Sequence, residues 1–275
     1  MARTYILRSL FKKLEHSVLP SGLRKDLTER ALSLHLRVCH KKAPQRKFII
    51  VMQGRAGSSV FCDLLDSHSG VRCHSELLIS RYKNPFRFLS SLANYYHTYP
   101  VWGFKVKMSQ IRQNASEDSF RNYLVHNNFR VFCLFRENAL KAALSSLIGW
   151  KRGNVYHNTA KADGGRRQPV HLEPERVIKA IRRVEADREE ILRFAEGLNP
   201  ITFTYEKHLA NAEQQQATCN RVFEAMDLPA FRVKTEFKKV STKNPSDSIA
   251  NFPELLSAVK QTGYMHYLDD LQAEG

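Results

Sequence analysis

No stretch of this 275-residue sequence is apolar for long enough to cross a bilayer. Near the N-terminus Arg8, Lys12 and Lys13 interrupt any signal-peptide core, so a cytoplasmic location is expected. The five cysteines, Cys39, Cys62, Cys73, Cys133 and Cys219, include no CxxC pair. Odd in number and scattered through apolar stretches, they read as buried free thiols in a reducing compartment rather than as disulfides or zinc ligands. No metal-ligand constellation stands out, and no metal is expected. Internal repeats, low-complexity tracts and a dividing linker are also missing. Acidic residues are scarce: 27 against 43 lysines and arginines, for a formal net charge of +16. That excess favours anionic partners, whether nucleic acid, acidic lipid or a phosphorylated or sulfated small molecule. A solvated basic surface accounts for much of it.

What is present centres on Phe48 to Leu65, FIIVMQGRAGSSVFCDLL. Phe48 to Met52 is a short unbroken run rich in β-branched residues, the pattern of a parallel strand buried on both faces. Gln53 to Ser59 is small and polar, with Gly54 and Gly57 able to take positive φ or admit a close backbone approach. Val60, Phe61, Leu64 and Leu65 then recur at helical spacing. A strand, a glycine-containing loop and a helix in that order aim free N–H groups and a positive helix end at one spot, as in a phosphate site. A plain strand-turn-helix corner has the same pattern. The loop lacks the Gly-Lys-Ser/Thr of a Walker A motif and offers Arg55, Ser58 and Ser59 instead.

Along the rest of the chain, residues 1–45 form a basic helical segment. Its apolar stripe (Tyr5, Ile6, Leu10, Phe11, Leu14) either packs on the domain, the commoner cause, or lies on an anionic membrane surface. Val71 to Leu78 reads as a second strand delivering His74 and Glu76 to the sheet's carboxyl edge, where ligand groups gather in open α/β folds. A surface His and Glu beside a turn is the plainer reading. The aromatic stretch 79–100 is core or lid. Val101 to Met108 reads as a strand with Lys105 and Lys107 on one face, and Asn114 to Asn128 as a helix with Ser116 at its N-cap. Phe129 to Phe135 is a strand running into Arg136 and a helix that carries Ser145. A basic loop from Lys151 to Pro169 could close over an anion or simply be solvated. Pro174 to about Glu196 is a helix, Ile201 to Tyr205 a strand, Asn211 to Met226 a helix, and Pro253 to Lys260 a last helix.

Several of these pieces together resemble a known family. QGRAGSSVFCDLL is similar to the 5′-phosphosulfate loop of sulfotransferases that use 3′-phosphoadenosine 5′-phosphosulfate (PAPS), and FCLFRENALKAALSSLIGWKRG to their 3′-phosphate motif. VRCHSELL resembles the segment with a catalytic glutamate in the bacterial carbohydrate branch, which includes the nodulation sulfotransferases. GFKVKMSQ, ITFTYEKHL and STKNPSDSIANFPELL resemble later segments of that branch. The match runs with gaps from about Phe48 to the end. Arg55 stands where many members have lysine, and Phe135 where related enzymes often have a second arginine.

The resemblance implies an α/β fold: residues 46–275 as a single sulfotransferase domain with a central, mainly parallel sheet flanked by helices, similar to P-loop nucleotide kinases. It implies PAPS as donor, adenosine 3′,5′-bisphosphate (PAP) as product, and a carbohydrate or glycolipid acceptor. Arg55, Ala56, Gly57, Ser58, Ser59 and Val60 would hold the 5′ end. Arg136 and Ser145, with Lys243 from the tail, would hold the 3′-phosphate, since a guanidinium can fork onto a phosphate. Glu76 would be the general base with His74 as runner-up, and Lys105 would help with charge at the transferring group. The basic N-terminus could touch the inner face of a membrane. A P-loop phosphotransferase would share the fold but wants a Walker lysine and a magnesium carboxylate. A nucleic-acid-binding protein is supported by charge alone, with no RNP-like motif and no Cys/His finger, so no nucleic-acid partner is expected.

Overall fold

A computed structural model describes residues 46–152, 168–237 and 245–269. The expectations for residues 1–45, for Lys243 and for most of the 151–169 loop fall outside them.

Five parallel strands form one sheet: β1 (Arg46–Met52), β2 (Val71–Glu76), β3 (Val101–Val106), β4 (Phe129–Phe135) and β5 (Ile201–Thr204), in the order β2-β3-β1-β4-β5. The unbroken apolar run of β1 fits its central place, because each of its faces is covered. Phe48, Ile50 and Met52 enter one apolar layer and Ile49 and Val51 the other. Phe48 is opposite Gly103 in register, and a Cβ there would come within 2.5 Å of the Phe48 ring. Glycine in β3 is therefore what lets a phenylalanine ring lie across the neighbouring strand.

Helices follow the strands: α1 (Ser58–Asp66), α2 (Pro85–Tyr95), α3 (Met108–Asn114), α4 (Glu117–His126), α5 (Ala139–Lys151), α6 (Pro174–Ala195), α7 (Tyr205–His208), α8 (Ala212–Ala225) and α9 (Phe252–Lys260). The layer against α1 and α8 holds Phe61, Leu65, Phe132, Phe203 and Phe223. Trp102, Phe104, Phe120 and Phe194 fill the other layer, with α2, α3, α4 and the C-terminal half of α6. A third cluster joins α5, the N-terminal half of α6 and α9.

The 79–100 stretch contributes core. Asn84 caps α2 by accepting from the Arg87 N–H, Pro85 takes the first turn, and Phe88, Leu89 and Leu92 are buried. Ser116 caps α4 in the same way, as its sequence indicates. Two features differ from the sequence reading. β3 stops at Val106, so Lys107 opens a helix instead of continuing the strand's alternation. That helix, α3, spans only seven residues, too few for its period to show in sequence.

The strand order places the site. The chain leaves β1 through α1 toward β2 on one side, and leaves β4 through α5 and α6 toward β5 on the other. Neighbouring strands whose connections diverge open a crevice at their carboxyl ends, where open α/β sheets bind ligands. Gln53–Ser59 and Arg136–Asn138 are the two turns beside it.

Candidate functional site

The first turn is held in an unusual backbone. Arg55 has φ 65° and Gly57 φ 79°, both left-handed. For Gly57 this explains the residue: a Cβ would also meet the Tyr205 ring at 2.7 Å. Gly57 caps α1, and its carbonyl accepts the first helical bond, from Phe61 N–H at 3.1 Å. The N–H groups of Ser58, Ser59 and Val60 therefore have no partner within the helix and lie at its positive end. Ala56 is buried and Val60 packs on the core below.

Under this turn lies Lys105, at the end of β3 and 3% exposed. Its Nζ donates to Ser59 Oγ at 2.9 Å and reaches Ser58 Oγ at 3.4 Å. Among the described residues no carboxylate pairs with it. A buried ammonium balanced only by hydroxyl dipoles is costly, and an anion above the serines would relieve that cost.

The second turn begins with Arg136. Its N–H donates to Gln53 Oε1 at 3.1 Å, and Gln53 Nε2 donates to the Val184 carbonyl of α6. Buried Gln53 thus ties both turns and α6 together. The Arg136 guanidinium lies over the Tyr205 ring at 4.4 Å, its Nε is 3.6 Å from Glu206 Oε1, and its Nη1 donates to the Lys141 carbonyl at 3.3 Å. Glu206 Oε2 also accepts from Glu137 N–H at 2.9 Å. Asn138 caps α5 through Lys141 N–H at 2.9 Å.

Ser145 meets Arg55 instead of Arg136: Arg55 Nε donates to Ser145 Oγ at 3.2 Å. The Arg55 guanidinium runs along α5, where a Cβ on Gly149 would meet it at 3.4 Å. The loop after β1 and the helix after β4 therefore face one crevice and touch across it. The Arg55–Ser145 contact is one the sequence did not indicate.

At the end of β2 the structure separates the two candidates for the general base. The β2–β3 register slips between His74 and Glu76, so His74 pairs with Phe104 and Glu76 with Lys105. Such a bulge re-aims a side chain. Glu76 reaches the carboxyl edge, where its Oε2 accepts from Gln110 Nε2 at 2.5 Å and lies 3.1 Å from Lys107 Nζ. His74 instead turns into the apolar layer, its ring 4.6 Å from Tyr96 and 5.9 Å from Trp102. Burial, helped by the charge of Arg72, pushes its pKa down to about 3, which keeps it neutral and a poor proton acceptor. His74 thus lies half-buried against the aromatic layer and not at the carboxyl edge.

Gln53, Gln110 and Glu206 were not singled out from the sequence. Gln53 left a signal, a polar residue closing an apolar strand just before Gly54. Glu206 left a weaker one, directly after β5. Gln110 had none, because its helix was not legible. Among the described residues no group of His, Cys, Asp and Glu could hold a metal ion, and no helix is long and apolar enough to cross a membrane.

No family model matches the chain. No curated protein matches it. Among solved structures it is similar to a sulfotransferase from Alicyclobacillus acidocaldarius, with 12% identity, 83% of this chain and 95% of that chain covered, and a TM-score of 0.47.

Proposed function

We propose that the chain is a sulfotransferase that moves a sulfuryl group from PAPS to a hydroxyl of a carbohydrate or glycolipid acceptor. One observation carries this reading: Lys105, buried and without a carboxylate partner among the described residues, donates toward Ser58 and Ser59 at the N-terminus of α1. It marks an anion site whose cation comes from the neighbouring strand. The motif resemblance of the two turns supports a nucleotide charged at both ends.

The residues fit such a donor. The N–H groups of Ser58 to Val60, the serine hydroxyls and Lys105 would hold the phosphosulfate end. Arg136 and Ser145, with Lys243 a candidate from the tail, would take the other phosphate, and Arg55, which touches Ser145 across the crevice, would stand at the phosphosulfate end. When bound, the donor supplies a sulfuryl group on a phosphate leaving group. Lys105 and Arg55 would stabilise the charge that grows on that phosphate, and fixed charge in a dry site is effective at that task. Glu76 is the proposed base: it would take the proton of the acceptor hydroxyl as the new oxygen–sulfur bond forms. Lys107 and Gln110 hold its carboxylate at the edge. The basic N-terminus is proposed as a peripheral contact with an anionic membrane face, in keeping with a cytoplasmic enzyme.

A P-loop phosphotransferase is disfavoured by the same lysine. Such an enzyme wants a magnesium carboxylate at the end of a neighbouring strand, and β3 ends on a cation there. Isothermal titration with adenosine 3′,5′-bisphosphate, ATP and a short RNA separates the readings. Selective binding of the bisphosphate is expected; equal or better binding of ATP or RNA would overturn the proposal. Glu76→Gln should keep the bisphosphate affinity of the wild type and lose turnover in a radiolabelled-sulfate transfer assay.

A further inference from the structure

Gln53 carries no charge and has no task in the chemistry above, yet both ends of its amide are in use. The residue is 2% exposed, which leaves water little access to it. Its backbone N–H donates to the Leu134 carbonyl at 2.9 Å, the last bond of the β1–β4 ladder. Its side chain then carries the link past the ladder. Oε1 accepts from Arg136 N–H at 3.1 Å, at the start of the second turn, and Nε2 donates to the Val184 carbonyl of α6. One partner is an N–H and the other a carbonyl, so the amide fits only one way round. Glutamate would lose the donor there, and methionine both bonds.

This link differs from the other contact across the crevice. Arg55 Nε meets Ser145 Oγ at an exposed position, where a bound anion would draw the guanidinium to itself. Gln53 is buried and neutral, so an anion leaves its bonds in place. Each turn also has supports of its own. The first is shaped by left-handed Gly57 against the Tyr205 ring. The second is held by the Asn138 cap on Lys141 N–H and by Glu206, which accepts from Glu137 N–H. Without Gln53 each turn would keep its shape. What Gln53 adds is the spacing between them.

We propose that Gln53 is a positioning residue that sets the separation of the two turns, and thereby makes the site prefer a nucleotide phosphorylated at both ends to one phosphorylated at a single end. The proposal rests on the sulfotransferase reading, which gives each turn one end of the donor. A ligand that spans both turns binds its second phosphate intramolecularly, and that gain is lost when the geometry does not let both ends engage. A ligand that meets one turn gains nothing from the other. Gln53 acts through the Arg136 backbone and not by touching a phosphate. Its loss should therefore cost the doubly charged ligand much and the singly charged ligands little.

The test is isothermal titration of adenosine 3′,5′-bisphosphate, adenosine 5′-monophosphate and adenosine 3′-monophosphate into full-length wild type and Gln53→Met. Wild type should prefer the bisphosphate to both monophosphates. In Gln53→Met the bisphosphate should bind at least about tenfold more weakly and each monophosphate less than about threefold more weakly, so the preference shrinks. Partial unfolding would lower all three affinities by one common factor and leave the preference as it was, so it cannot imitate this result. Equal weakening of all three ligands, or a preference that does not change, overturns the role of Gln53 and leaves the donor reading standing. Wild type without a preference for the bisphosphate overturns the donor reading, and the role of Gln53 with it. Should Gln53→Met not fold, Gln53→Leu titrated in trimethylamine N-oxide, which favours the folded state, carries the same comparison.

Discussion

The two strand-to-helix turns beside the crevice look alike in sequence and are built differently. Each follows a buried apolar strand, and each carries an arginine. Beneath the turn after β1, Lys105 of β3 meets only serine hydroxyls among the described residues. After β4, the protein supplies its own anion, since Arg136 lies on Tyr205 and beside Glu206. The first turn is thus poised to take charge from outside. The second is held closed by a carboxylate that a phosphate would have to displace or join. Similar motifs do not imply similar readiness to bind.

The largest effect that could break this contrast comes from Lys105→Met. Transfer should fall about 100- to 1,000-fold, the usual loss when one preorganised charge is removed from a reacting centre. The melting temperature should hold or rise, because a buried unpaired charge is gone. A variant that stays active would remove Lys105 from the chemistry.

Arg136→Ala probes the other turn. Bisphosphate affinity should fall about tenfold or more, since a phosphate would lose its forked partner. Stability should fall as well, by about 1–3 kcal/mol, because the Glu206 carboxylate is left without its cation. Glu206→Gln sharpens the comparison. It removes the resident anion, so the bisphosphate should bind several-fold more tightly by calorimetry. Unchanged affinity would mean that the nucleotide and Glu206 do not compete for Arg136.

Within the first turn the two glycines should respond differently. Gly57→Ala forces a Cβ against Tyr205 in a left-handed backbone and should cost about 1–3 kcal/mol in urea unfolding. At Gly54 nothing lies within 4 Å, and alanine there should be close to neutral.

A pH-dependent effect concerns His74. Folding lowers its pKa from 6.5 to about 3, so between those values the unfolded chain binds the proton more readily. Its contribution to stability is full above pH 6.5 and is lost as the pH falls toward 3, by up to about 1.4 kcal/mol per unit. His74→Phe should flatten that slope, and urea unfolding at pH 5 and pH 7.5 measures it. A wild-type profile already flat there would place the imidazole nearer water than its neighbours suggest.

Most of the framework was legible. The run at Phe48 announced a strand because a parallel strand buried on both faces needs unbroken apolar sequence, while Phe129 to Phe135 and Ile201 to Tyr205 did so through their aromatic and β-branched residues. The cap at Ser116 announced a helix because only certain side chains can satisfy a first-turn N–H. The site was legible in part. Arg55, Ser58, Ser59, Lys105, Glu76 and Arg136 could each be singled out, but not who meets whom. His74 and Glu76, two residues apart, were both expected at the carboxyl edge, until a one-residue slip against β3 separated them. Gln110 was hidden in a helix too short to show a period.

The sequence by itself determined where strands end and where cations follow, since both depend on neighbours within a few positions. Only the tertiary structure decided that Arg55 meets Ser145, that Lys105 rises beneath the loop serines, and that Arg136 is already engaged by Glu206. Those contacts join residues 46 to 90 positions apart, and the strand order, with its divergent connections around β1 and β4, is what brings them together.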